Sequence, residues 1–149
     1  MERTIKKISQ FYYLIYTVTI LTTVVGYFLI MNSDSHINSL SPLGITLKSI
    51  VIIYMLISIP LSIGGFYYMI NKWKTIENLT LKLKEYQKGS IMRLLLIGIG
   101  LIGSIIVFFV LRTDVSLIYC AAIAAIALLF CRPSEAKITT ELNLDETEE

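Results

Sequence analysis

The sequence predicts an all-α integral membrane protein, an antiparallel bundle of four transmembrane helices with both termini in the cytoplasm. Three observations carry this. Hydrophobic residues make up 55% of the chain and charged residues only 16%, against roughly 25% charged in a typical soluble domain. The apolar residues are gathered into long blocks and are not spread with the period of an amphipathic helix or strand. The Lys and Arg residues fall mostly between those blocks, on alternate connections. A bilayer core of ~30 Å takes about 20 consecutive apolar helical residues. The blocks at 11–31, 44–70, 91–111 and 115–131 meet or approach that length, so residues 1–149 read as one membrane domain.

The first block follows an arm carrying Arg3, Lys6 and Lys7. A secretory leader also opens with basic residues, but its apolar core is about 7–15 residues and ends at a small-x-small site. This block is longer and closes on Leu29, Ile30 and Met31, so it is expected to stay as the first span. The loop at 32–42 has no Lys or Arg and holds Asp34 and His36. In the second span Lys48 lies near the start and Pro60 in the middle, followed by Ser62, Gly64 and Gly65. Proline removes a backbone donor and crowds the preceding turn, which predicts a kink or local distortion.

Residues 71–90 read as a basic cytoplasmic loop with Lys72, Lys74, Lys82, Lys84 and Lys88 against Glu77 and Glu85. The third span begins near Arg93, and Arg112-Thr113-Asp114 makes a short turn into the fourth. That span lies at the lower length limit for crossing and stops at Arg132-Pro133. Ser134 is placed to cap a short helix from Glu135 to Leu142 within an acidic tail, 132–149.

Basic residues in the arm and central loop, and almost none in the outer connections, place both ends and residues 71–90 in the cytoplasm. The expected location is a membrane, and in a bacterium the cytoplasmic one. Small residues at helical spacing predict close packing: Gly100, Gly103 and Ser104 in the third span, and Cys120, Ala124 and Ala127 in the fourth. Inside lipid, helix association rests on close backbone approach, which small residues permit. The third and fourth spans are expected to be the tightest pair.

Few residues carry chemistry. Lys48 is the only charge well inside a block, and its depth fits a side chain that snorkels to the headgroups. His36 stands alone in a Ser/Asn-rich loop, whereas a metal site needs several convergent ligands. Arg112 and Asp114 suit a local ion pair or headgroup contact. Cys120 and Cys131 read as packing residues, with lipidation of Cys131 a lesser reading. The membrane-embedded acid of the small multidrug transporters is missing. So are the Arg- and Glu-rich second span of the membrane-associated eicosanoid and glutathione enzymes, and the paired cysteines of quinone-linked thiol oxidoreductases. Catalysis, a cofactor and a nucleic-acid partner are not expected.

The most informative polar stretch is therefore 71–90. Trp73, Ile76, Leu79, Leu83 and Tyr86 recur at helical spacing, beside Lys74, Lys82, Lys84 and Lys88. Such a helix fits an anionic leaflet or a protein partner. The acidic tail either docks on this basic stretch or stays free. The leading expectation is a non-enzymatic scaffold or accessory subunit that contacts membrane lipids and a protein partner or a second copy through loop and tail. The alternative is a small oligomeric transporter or channel for a neutral or hydrophobic solute, with a candidate pathway at Ser58, Pro60, Ser62, Gly64, Gly65 and Lys48 and the threonines of the first span. An enzyme acting on a lipid or quinone is the third reading.

Overall fold

The structure, a computed structural model, describes residues 2–32, 37–112 and 114–144. All elements are helical: α1 (Glu2–Asn32), α2 (Pro42–Lys74), α3 (Leu79–Leu111), α4 (Val115–Phe130) and α5 (Glu135–Leu142). Among the described residues there is no strand. Three helices, α1 to α3, are long and apolar enough to cross a membrane. A fourth crossing is available if α4 and α5, bent by 77° at the break between them, count as one. Asp34 and His36, the Thr113 position of the turn and the last acids of the tail lie outside the described residues.

The starts of α2 to α5 each have a local chemical cause. Ser41 caps α2 through Gly44 N–H, with Pro42 at the first turn where its missing donor does no harm. Asn78 Oδ1 accepts from Thr80 N (3.0 Å) and Leu81 N (3.3 Å) at the start of α3. Asp114 caps α4 through Ser116 N, and Ser134 caps α5 through Lys137 N. The Ser134 cap and the α5 bounds agree with the sequence expectation.

Residues 71–90 differ from that expectation. They form no loop: α2 continues to Lys74, α3 starts at Leu79, and only 75–78 break the helices. Charge lowers apolarity without lowering helix propensity, since Lys and Glu are good helix formers. The membrane-like segment ends there while the helix does not. α2 and α3 have 33 residues each, roughly 50 Å at ~1.5 Å per residue.

α3 is the helix the others share. α1, α2 and α4 each pack along it, α2 makes the most extensive contact, and α2 also touches α4 and α5. Leu94, Ile97, Leu101 and Ser104 form its buried face. α1 is the most peripheral: Thr4, Ile8, Tyr12 and Ile15 are its buried residues, all in its first half. α2 remains one helix through Pro60, so the expected distortion does not interrupt it. Ser62 Oγ donates to Ile59 O at 2.8 Å just beyond the proline.

Candidate functional site

The polar groups collect at the two ends of the helices. At the α2–α3 turn, Phe66 and Trp73 of α2 and Tyr86 of α3 stand edge to face around one another. Their centroids are 5.7 Å (Phe66–Trp73), 5.5 Å (Phe66–Tyr86) and 6.1 Å (Trp73–Tyr86) apart, distances at which aromatic pairs attract beyond their buried area. Gly89 makes room, because a Cβ there would run into the Trp73 ring. The Arg93 guanidinium lies 3.8 Å from the Phe66 centroid, a cation–π contact.

Helix α5 closes this end. Ile138 and Leu142 are fully buried, and both belong to the core that holds Trp73, Leu83 and Tyr86. Their spacing puts them on one face of the helix. Tyr86 OH donates to Glu141 Oε2 at 2.5 Å. Burial, and then the bond to Glu141, push the Tyr86 phenol above its ordinary range, so it stays a neutral donor. Lys137 Nζ donates to Phe130 O at 2.6 Å, across the α4–α5 break. Two polar atoms on the same α3 face, Ser90 Oγ and Arg93 Nε, are buried without a hydrogen-bond partner. Ser90 lies beside the Tyr86 phenol but lacks the geometry of a hydrogen bond to it.

The expected partner or lipid surface therefore divides. Trp73, Lys82, Leu83 and Tyr86 are buried, and Ile76 is half-buried. Lys74, Leu79, Lys84 and Lys88 are exposed, with Lys88 paired to Glu85 at 2.7 Å. The single helical stripe that the spacing predicts is not formed: Trp73 ends α2, Ile76 lies in the 75–78 break, and Leu79, Leu83 and Tyr86 belong to α3, so the buried members meet across two helices. Among the described residues of the tail, whose docking the sequence left open, Ile138, Leu142 and Glu141 make the contact. The spacing of Ile138 and Leu142 beside Glu141 was the available signal for that cover. Nothing comparable marked Phe66 or Arg93.

The opposite end is tied across three helices. Lys48 Nζ meets Asp114 Oδ2 at 2.8 Å, and Asp114 Oδ1 accepts from Ser116 Oγ at 2.6 Å. The bond from Lys48, then those from Ser116, hold the Asp114 carboxyl below the usual carboxylate range. Arg112 ends α3 in the left-handed region (φ 58°), and its Nη2 donates to Ile30 O of α1 at 2.5 Å. Ile37 N donates to Val110 O at 3.2 Å. Lys48 thus has an acidic partner in the α3–α4 turn and is no lone snorkelling charge. Arg112 and Asp114 reach to α1 and α2.

The small residues act unevenly. A Cβ on Gly100 would meet Met55 and Tyr54 of α2, and one on Gly98 would meet Ile15 of α1. Gly103 faces open space, so the close approach expected there is made at Gly98 and Gly100. Ser104 is buried and donates to Gly100 O at 2.7 Å. Ala124 and Ala127 are buried, and Cys120 is half-buried.

The candidate pathway residues do not converge. Ser58 and Ser62 are buried, while Pro60 and Gly64 are exposed and Gly65 half-buried. A Cβ on Gly64 would meet nothing within 4 Å. A cleft of about 480 Å³ lies between α1 and α3, lined by Thr22, Val25, Gly26, Phe109 and neighbours. Thr22 Oγ1 is already bonded to Val18 O at 2.8 Å. A shallow groove of about 860 Å³ runs along the first half of α1 toward Glu135.

Comparison with known protein families, characterised proteins and solved structures finds no match to this chain.

Proposed function

We propose that the chain is a four-span membrane protein with both termini cytoplasmic, acting as a non-enzymatic scaffold or accessory subunit. One observation carries the reading. α2 and α3, with 33 residues each, exceed a ~30 Å bilayer core by roughly 20 Å. The surplus of α3, residues 79–90, lies at the lysine-rich end, where α2 also runs on to Lys74, and the charge rule assigns that end to the cytoplasm. The surplus is a packed knob. Its interior is filled by Phe66, Trp73, Tyr86 and α5, and its tip presents Leu79 and Leu81, each 52% exposed, beside Lys74 and Lys84. In this reading α4 and α5 together make the fourth crossing, with the 77° turn between them near the cytoplasmic boundary.

A photo-crosslinking residue at Leu79 or Leu81 tests the partner role in native membranes. Capture of one defined protein or a second copy is expected; capture of lipid alone contradicts the role. The transporter alternative draws on the α1–α3 cleft, whose threonine hydroxyl is already satisfied within α1. Flux in reconstituted vesicles that is unchanged by Thr22→Leu and Gly26→Leu, which fill that cleft, counts against it.

A further inference from the structure

We propose that α5 is a detachable cover on a helix-binding groove, and that the groove accepts in its place an amphipathic helix of a partner protein. The incoming helix would present two aliphatic residues four apart, with a Glu just before the second. This pattern is the one α5 uses in the structure: Ile138, Glu141 and Leu142. The inference rests on the proposed role of this end as a partner-binding knob.

The groove is built independently of α5. Phe66, Trp73, Tyr86 and the Arg93 guanidinium come from α2 and α3, where the rings order one another and Gly89 seats the indole. The cover is slight by comparison. α5 has 8 residues, below the ~12–15 at which an isolated helix becomes even marginally stable in water. It follows a break at Arg132-Pro133-Ser134 with a 77° change of direction. Its contact with α3 includes one side-chain bond, Tyr86 to Glu141.

A second observation points to a different occupant. Ser90 Oγ and Arg93 Nε lie one and two turns beyond Tyr86 on the same face of α3, buried and without a hydrogen-bond partner. Buried polar atoms in native proteins nearly all find a partner. α5 satisfies Tyr86 and leaves these two unsatisfied. A partner helix with a further carboxylate or amide acceptor a turn away from its Glu would satisfy them as well. Binding in trans would then be favoured over the cover in cis, and helix-in-groove recognition is a common mode for such surfaces.

Cys131, at the joint between α4 and α5, is 4% exposed and reports opening directly. The experiment measures its maleimide labelling rate in the full chain carrying Cys120→Ala, in lipid nanodiscs. Slow labelling is expected for this parent. Ile138→Asp should raise the rate about tenfold or more, as local opening exposes the thiol. A peptide of residues 134–144, SEAKITTELNL, should slow it again in a saturable way, and its Glu141→Lys version should not. Unchanged labelling in Ile138→Asp overturns the proposal. So does faster labelling that the peptide never suppresses in a chain of retained helix content. If Ile138→Asp unfolds the protein, Glu141→Gln decides: a faster, peptide-suppressible rate supports the cover, and an unchanged rate overturns it. The Leu79 crosslink is read separately, so a failed cover and a failed partner role are distinguishable.

Discussion

A methyl group at Gly100 would stand 2.5 Å from Met55 Sδ and 3.1 Å from the Tyr54 ring, while Gly103 faces open space. Two glycines of one stripe therefore have opposite tolerances. Gly100→Leu should lower the thermal midpoint in detergent, by about 1–3 kcal/mol of overpacking. Gly103→Leu should stay within roughly 0.5 kcal/mol, as surface substitutions do. Equal effects would refute the α2–α3 contact at Gly100. The Lys48–Asp114 pair makes a pH prediction. Asp114 is held below its ordinary pKa, so its contribution is present above the unfolded carboxylate value near 4. It is lost as pH falls through the lower folded value. Asp114→Asn should flatten that part of the stability–pH curve and lower stability at neutral pH by about 0.2–1 kcal/mol. A difference that grows as pH falls would contradict the assignment.

Pro60 sits in the middle of α2, is exposed, and leaves the Leu56 carbonyl without its usual donor. If the proline only tolerates its place, Pro60→Ala restores that bond. The thermal midpoint should then rise, against an interior-proline cost of about 3 kcal/mol in water. A fall would show that the local geometry is needed. The elements were legible to different degrees, for physical reasons. Ser134 and the residues behind it announced α5, because capping is local chemistry. The apolar blocks announced α1 to α3, because bilayer length is a composition signal. The continuation of α2 and α3 through 71–90 was obscured because charge marks the end of a span without marking the end of a helix. The apolar face of α5 was legible in the spacing of Ile138 and Leu142, but its seat on Trp73 and Tyr86 was not, since that contact joins Tyr86 to Glu141, 55 residues apart. The Lys48–Asp114 pair was hidden in the same way: nothing local to either residue names the other. Gly103 misled because a stripe gives spacing but not which side has a neighbour.

At the scale of the whole molecule, α3 is the shared helix, and the chain is fastened at both ends of it. One fastening is the Arg112–Ile30 and Lys48–Asp114 set; the other is the aromatic cluster beneath α5. Between them the outward faces are apolar, with Leu21, Val24, Phe28, Leu56, Leu61 and Ile123 all exposed. A surface this apolar is the kind that lipid covers. The central claim is that the α2–α3 knob stands in the cytoplasm and the 37–41 turn on the other side. Single cysteines at Leu81 and Leu40, both exposed, in a chain with Cys120 and Cys131 replaced by alanine, test it with a membrane-impermeant maleimide. The account predicts that position 40 labels in right-side-out vesicles and position 81 only in inverted ones. Labelling of both positions from the same side would contradict it.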